Sequence, residues 1–372
     1  MFRIRGKKLS RGVFYWKLRR IRNDLAGRSR FRQVQRRIRR DRKGKLPLNL
    51  YGRWDILSKD DWKKAIRKYN PGDPMISLGK VEQKLRLEEK GVSIPDTYLV
   101  LDTEEDIDRF SNWMDKWEDG FVIKPSGGHG GSGVLVIDRK IGGRFFKPSG
   151  KHLERERIIN HARRIMEGLY TRGRPDSVLV EERLSLSKQV WELMTPGLLD
   201  IRVVVFKGFP VMAMTRLPTR RSGGRANIHK GAVAAGISIS EGAITSATYN
   251  RRSVKRHPST DRTIIGFRFN MWDTILEQAS AAADAMGMGF AGVDLCVDRK
   301  KGVVVIEVNK RPGLEIQNAN RSGLKRRMRY VKSQIRREEI DPGSVGPGVK
   351  AEISRNWDGR NWERERGEAE EE

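Results

Sequence analysis

The segment Phe290 to Gly313, FAGVDLCVDRKKGVVVIEVNKRPG, constrains this chain more than any other. Two runs of β-branched and aliphatic residues flank the polar turn RKKG, which predicts a β-hairpin. With a four-residue turn Asp298 faces Val303, and counting back along both strands sets Asp294 opposite Glu307. Their Cβ atoms would lie ~5 Å apart, where two carboxylates repel and weaken the sheet unless a cation intervenes. Period-two alternation puts Asn309 on the face of Glu307. Asp294, Glu307 and Asn309 therefore predict a hard-oxygen cluster for Mg²⁺, with Mn²⁺ as a substitute, that keeps waters and shares phosphate oxygens. A solvent-facing polar edge could align these residues by chance. Against that, Val293, Leu295, Val305 and Val308 predict a largely buried hairpin.

A second hairpin is read at residues 121–138, FVIKPSGGHGGSGVLVID. The apolar runs are too short for helices, and a glycine-rich loop joins them. Its lysine precedes the glycines and a strand follows, so it is neither a GxxxxGK[ST] loop nor a GxGxxG fingerprint, both of which open a helix. Residues without Cβ still let backbone N–H groups wrap an anion, and Lys124 adds a point charge from the first strand. A flexible hairpin without ligand is the plainer alternative.

Between and around these hairpins, helices are predicted at KVEQKLRLEEKG, EEDIDRFSNWMDKW and 153–168. A further helix, MWDTILEQASAAADAMGM, sets Trp272, Ile275, Leu276, Ala279, Ala283 and Met286 on one face. Strands are predicted at SIPDTYLVL, SVLVEERL, DIRVVVF and FPVMAMTRL. Hairpin-linked neighbours indicate an α+β fold with antiparallel sheets.

With 372 residues and 37% hydrophobic content, the chain can close a real core, and no apolar run approaches the ~20 residues that span a bilayer. One cysteine, Cys296, and five histidines exclude a disulfide framework and a zinc cluster, and a cytoplasmic location is expected. The net charge of +29 is concentrated at one end: residues 1–45 carry 19 Lys or Arg against Asp24 and Asp41. Apolar residues at Phe14, Trp16, Leu18, Ile21 and Leu25, then Phe31, Val34 and Ile38, predict two basic amphipathic helices. Such an arm suits RNA, an acidic polymer or a membrane surface, or it packs on the body. Residues 341–372 read as a disordered, acidic-ended tail.

Taken in order, Lys124 before the glycine hairpin, VEERL, DIR, GGRANIHKG, GVDL and EVNKRPG resemble the ATP-grasp ligases over roughly residues 75–328. Within that superfamily EVNKRPGLEIQNANRSGL resembles the RimK-related α-L-glutamate ligase-like proteins. The resemblance implies an ATP-grasp fold, two α+β subdomains clamping ATP. Its parts would be a basic helical arm at 1–47, a reduced N-terminal subdomain at 48–118, a lid at 119–192, a metal-bearing subdomain at 193–340 and the tail. It also implies that Lys80 and Lys124 bind ATP phosphates, although Gly79 stands where an Asp usually precedes the first lysine. Gly127, Gly128, Gly130, Gly131, Ser132 and Gly133 would close over them. Glu181 and Glu182 would address adenine and ribose, with Asp200 and Arg202 in the DIR element. Arg216, Arg225 and Asn227 would surround the γ-phosphate and a carboxylate substrate, while His129 matches no general family position. The implied reaction activates a carboxylate as an acyl phosphate and passes it to an amine, with glutamate as the implied amino acid. A small-molecule phosphotransferase and a non-enzymatic RNA or membrane binder are the alternatives.

Overall fold

The computed structural model describes residues 2–4, 7–9, 55–71, 79–128, 130–191, 193 and 197–356. In the arm, β1 (Phe2–Ile4) and β2 (Lys7–Leu9) pair as an antiparallel hairpin. The two amphipathic helices expected from Phe14 to Ile38 lie outside the described residues, as do His129 and the acidic end from 357.

The remaining strands are β3 (Thr97–Leu101), β4 (Phe121–Pro125), β5 (Leu135–Ile137), β6 (Arg139–Ile141), β7 (Arg144–Phe146), β8 (His152–Leu153), β9 (Val178–Glu182), β10 (Asp200–Phe206), β11 (Phe209–Leu217), β12 (Val233–Ile237), β13 (Ile244–Tyr249), β14 (Arg252–Ser253), β15 (Phe290–Asp298) and β16 (Gly302–Asn309). The helices used below are α1 (Lys59–Tyr69), α2 (Lys80–Glu89), α3 (Glu104–Lys116), α4 (Arg155–Met166), α5 (Trp272–Ala285), α6 (Glu315–Asn320), α7 (Leu324–Arg337) and α8 (Pro347–Arg355). A small sheet runs β3-β9-β4-β5 and a large one β14-β13-β12-β11-β10-β15-β16, with a third, β6-β7-β8, beside the small sheet. Their pairings are antiparallel, as the hairpin-rich pattern implied.

The small sheet packs Phe121, Ile123, Val178 and Val180 against Ile107, Phe110 and Met114 of α3 and Ile158, Ala162 and Ile165 of α4. Helix α3 starts where Thr103 and Asp106 close a reciprocal capping box. On the large sheet, Ile201, Val203, Val205, Val293 and Leu295 pack on the predicted apolar face of α5, Trp272 through Met286. Each such side chain, fully buried, contributes about 1.5–3 kcal/mol of transfer free energy.

The other face of the large sheet is divided. Val204, Phe206, Met212 and Met214 pack against Ile316 of α6 and Leu324, Met328 and Val331 of α7. Further along the same strands, at the same period of two, that face carries Asp200, Arg202, Arg216 and Asp294. Half the face is core and half presents charge.

Registry in the β15–β16 hairpin departs from the uniform count. Asp298 pairs with Gly302, and the count runs through Leu295↔Val305 before shifting, so that Asp294 pairs with Glu307 after all. The turn is one residue tighter than expected, and Ile306 is the extra residue of a β-bulge. Were the same sequence paired without the bulge, Glu307 and Asn309 would lie on the face of Val303 and Val305, inside the core under α5.

The span expected as a reduced N-terminal subdomain contributes instead to all three cores. Ala65 of α1 joins the core under α7, Leu87 and Val92 join the core under α5, and α3 closes the small sheet. The tail expected to be disordered from 341 also folds in part. Helix α8 starts at Pro347, buries Ala351 and Lys350, and sets the Lys350 ammonium 2.5 Å from Asp284 of α5. No helix among the described residues is long and apolar enough to cross a membrane.

Candidate active site

Two lysines share one carboxylate at the small sheet, and a third lies beside them. Glu181 is buried on β9, and its Oε2 lies 2.6 Å from Nζ of Lys124, which projects from the neighbouring β4 on the same face. Its Oε1 lies 2.7 Å from Nζ of Lys84. Burial opposes a charge on Glu181, but the Lys124 and Lys84 ammonium groups more than offset it and hold its carboxyl below the usual range. Lys84 also donates to the carbonyl of Pro95 at 2.8 Å, and burial pushes its pKa down to about 8.

Lys80 sits one turn before Lys84 on α2 and donates to the carbonyls of Pro125, at 3.2 Å, and Gly128, at 2.8 Å. Burial lowers its pKa, with the Glu307 carboxylate of the large sheet opposing. Glu182 does not join the cluster. Strand alternation turns it away from Glu181, toward Lys301 at 2.7 Å and the backbone of Asp96.

The glycine loop is held at both ends. Gly127 N–H donates to both oxygens of Asp176, at 2.9 and 3.0 Å, and the Gly133 carbonyl lies 2.8 Å from Nε2 of His161. Gly133 has φ 77°, and a Cβ there would come within 2.7 Å of the Tyr170 ring, so both conformation and packing demand glycine. Between these anchors Gly130, Gly131 and Ser132 are exposed. Asn227 reaches across from the large-sheet side, its Nδ2 donating to the Gly130 carbonyl at 3.2 Å. Arg225 stays exposed, with its backbone N–H donating to Ser222.

On the large sheet the charges interlock. Arg202 grips Asp294 with two bonds, Nε to Oδ1 at 2.6 Å and Nη2 to Oδ2 at 2.5 Å. Arg216 does the same to its cross-strand partner Asp200 and adds a bond to Oδ2 of Asp294 at 2.9 Å. Asn309 donates from Nδ2 to that oxygen at 3.1 Å. Asp294 is kept below the usual carboxylate range by Arg202 and Arg216, despite full burial. Asp200 moves the other way: burial, with the Asp294 charge adding, drives it up to about 6 against Arg216.

The repulsion expected between Asp294 and Glu307 is largely met within the protein. The charge of Asp294 is already met by two guanidinium groups, and no cluster of three or more acidic, His or Cys side chains that could hold a metal is found among the described residues. Arg202 and Arg216 are correspondingly committed to aspartates in this state. The donor set still fits a hard cation: Glu307 is half-buried outside any ion pair among the described residues, and the bond from Asn309 Nδ2 leaves its oxygen as an acceptor. Cys296 is buried, and burial pushes its thiol above the ordinary range, which leaves it as packing.

Sequence reasoning missed Lys84 and Asp176. Lys84 carried a signal, since four residues after Lys80 it must share that face of α2. Asp176 stands alone in a turn before β9, where only the fold brings it to Gly127.

A family model described as sugar-transfer associated ATP-grasp matches residues 63–333. Similar solved structures include the ATP-grasp ligase PsnB complexed with minimal precursor, Mg and ADP, at 16% identity and TM-score 0.32, covering 77% of this chain and 62% of that one. This chain thus matches less than two thirds of PsnB. The D-alanine–D-alanine ligase from Bacillus anthracis complexed with ATP matches at 14% identity and TM-score 0.39, over 71% of this chain and 69% of that one. The D-cycloserine synthetase DcsG matches at 14% identity and TM-score 0.38, over 70% and 71%. No curated protein matches the sequence.

Proposed function

This chain belongs to the sugar-transfer associated ATP-grasp family, and on that premise we propose that it is an ATP-dependent carboxylate–amine ligase working through an acyl phosphate. The observation that carries the reading is the surplus of three lysines over one carboxylate beside a tethered glycine loop. Lys80 and Lys124 bind the phosphates of ATP, and the exposed tip Gly130–Ser132 closes over them to exclude water from a hydrolysable intermediate. Glu181 lies beside the nucleotide; Glu182 acts through the backbone of its strand.

Glu307 and Asn309 would hold a magnesium ion, and Asp294 would join only by giving up a bond to Arg216 or Arg202. When bound, the ion neutralises phosphate oxygens as the γ-phosphoryl group moves. Arg202 and Arg216, pre-aligned by Asp294 and Asp200, present guanidinium groups where the carboxylate oxygen meets that group, and Arg225 and Asn227 line the approach. The amine then displaces phosphate, and no protein nucleophile is needed. Glutamate as the activated or added amino acid rests on the RimK-like segment 307–324, and a small molecule or a peptide could supply the acceptor amine.

The test is ADP release from the full-length protein, screened against amino acids with and without candidate amines, with products read by mass spectrometry. An amide product is expected. A stable phosphorylated product would favour the phosphotransferase instead, and absence of turnover and of ATP binding would overturn both.

A further inference from the structure

Lys84 has no place in the reaction just described, yet it is among the most buried cations of the molecule, with 7% of its surface exposed. Its ammonium is fixed between two acceptors on different elements, Oε1 of Glu181 at 2.7 Å and the Pro95 carbonyl at 2.8 Å. Lys124 is held differently. Among the described residues its one partner is Oε2 of Glu181, which leaves N–H donors to spare on an ammonium that has three. Two lysines therefore divide one carboxylate, an oxygen each.

We propose that Lys84 is a positioning residue, which holds Glu181 by one oxygen so that the carboxylate cannot take Lys124 with both and the Lys124 ammonium stays available to phosphate. This rests on the ATP reading above. Without Lys84, Glu181 would face a single cation and draw Lys124 closer, which weakens the capture of an anion by that ammonium. Arginine should substitute, since it can keep a bond to Oε1 and its charge does not titrate.

The experiment titrates full-length wild type, Lys84→Met, Lys84→Arg, Glu181→Gln and the double variant Lys84→Met/Glu181→Gln with a non-hydrolysable ATP analogue plus magnesium, by calorimetry. Lys84→Met should bind about 10–100-fold more weakly, the loss of one charge-assisted bond, and Lys84→Arg within about 3-fold of wild type. The double variant should bind no more weakly than Glu181→Gln alone, because Lys84 acts through that carboxylate. Across pH 7.5–9.5 wild-type affinity should fall as Lys84 loses its proton while Lys84→Arg stays level. The charged groups facing Lys84 are Glu181 on β9, Lys124 on β4, Asp96 ahead of β3 and Lys80 on its own helix.

Equal binding by wild type and Lys84→Met, or losses that add in the double variant, would overturn the proposal while leaving the ligase reading intact. A wild type that binds no nucleotide would overturn both. If Lys84→Met does not fold, the pH profile decides, and parallel profiles for wild type and Lys84→Arg would overturn it.

Discussion

The two sheets meet the problem of buried charge in opposite ways. On the small sheet Lys84 and Lys124 share the carboxylate of Glu181 with Lys80 beside them, and two of the three are depressed below their ordinary pKa by burial. On the large sheet Arg202 and Arg216 each have an aspartate, held by two bonds apiece. The first arrangement is short of negative charge and the second is balanced. On the ligase reading proposed above, a surplus of lysine suits the capture of an anion, which supplies the missing charge. A balanced set of arginines is rigid before any ligand arrives, and such preorganisation costs no rearrangement at the moment of reaction. Lysine's titratable ammonium suits the first task, and arginine's fixed planar fork the second.

The contrast is most easily broken at the large sheet. Asp294→Asn should abolish turnover and also destabilise the fold by about 3–5 kcal/mol, because it leaves the buried Arg202 without a carboxylate and takes one of two from Arg216. Glu307→Gln should abolish turnover with a stability change within about 0.5 kcal/mol. Denaturant unfolding beside an ADP-release assay separates them, and equal stability of the two variants would mean that the aspartate–arginine set is not structural.

On the small sheet, Lys124→Ala should lower kcat/KM for ATP by about 10²–10³ through both a higher KM and a lower kcat. Its folded state should survive, since removing one of three like charges relieves repulsion. Steady-state kinetics with unchanged ATP parameters would reduce the glycine hairpin to a structural element.

The charge surplus should also leave a trace in stability. Lys84 titrates near 8 in the folded chain against an ordinary value of 10.5. A base whose pKa is depressed on folding contributes stability fully above its unfolded value, and that contribution is lost as pH falls through the folded one. Wild type should therefore gain on the order of 1–3 kcal/mol over Lys84→Met between pH 8 and 10.5. Urea midpoints of both proteins at the two ends of that window measure it.

The smallest effect is expected between the sheets. Asn227→Ala removes the bond to the Gly130 carbonyl and should raise KM for ATP by about 3- to 10-fold, with the melting temperature unmoved, as fits one neutral hydrogen bond at an exposed loop. A larger fall in kcat than rise in KM would give Asn227 a part in the chemistry instead.

Much of this architecture was legible before any coordinates, for identifiable reasons. The apolar face of α5 and the paired strands around Lys207–Gly208, whose φ values of 52° and 83° suit a tight two-residue turn, are local patterns that tertiary context had no cause to override. The site was legible where it lay on one hairpin, and Asp294 opposite Glu307 was found by counting. The counting succeeded through two compensating departures, a turn tighter by a residue and a bulge longer by one. What stayed hidden depends on contacts between distant segments. Nothing near Asp294 in sequence announces that Arg202 and Arg216 neutralise it, and nothing near Asp176 announces Gly127. Helix α8 was obscured by glycine and proline around it, and only its docking on α5 through Lys350 and Asp284 accounts for its order.

Ile306 deserves a last inference. Because the bulge at Ile306 brings Glu307 and Asn309 to the charged side of β16, the chemistry open to that strand depends on its pairing as well as its letters. Pairing the same sequence without the bulge would exchange inside for outside downstream: the carboxylate and the amide would turn toward α5 and Val308 toward the charged face, whereas deleting Ile306 would remove only the surplus residue and leave all three where they are. No single substitution in an unbulged strand could move both polar side chains across at once. The pair therefore tolerates loss of this one residue but not a change in how the strand is paired, and drift at individual positions that keeps the bulge leaves the arrangement in place.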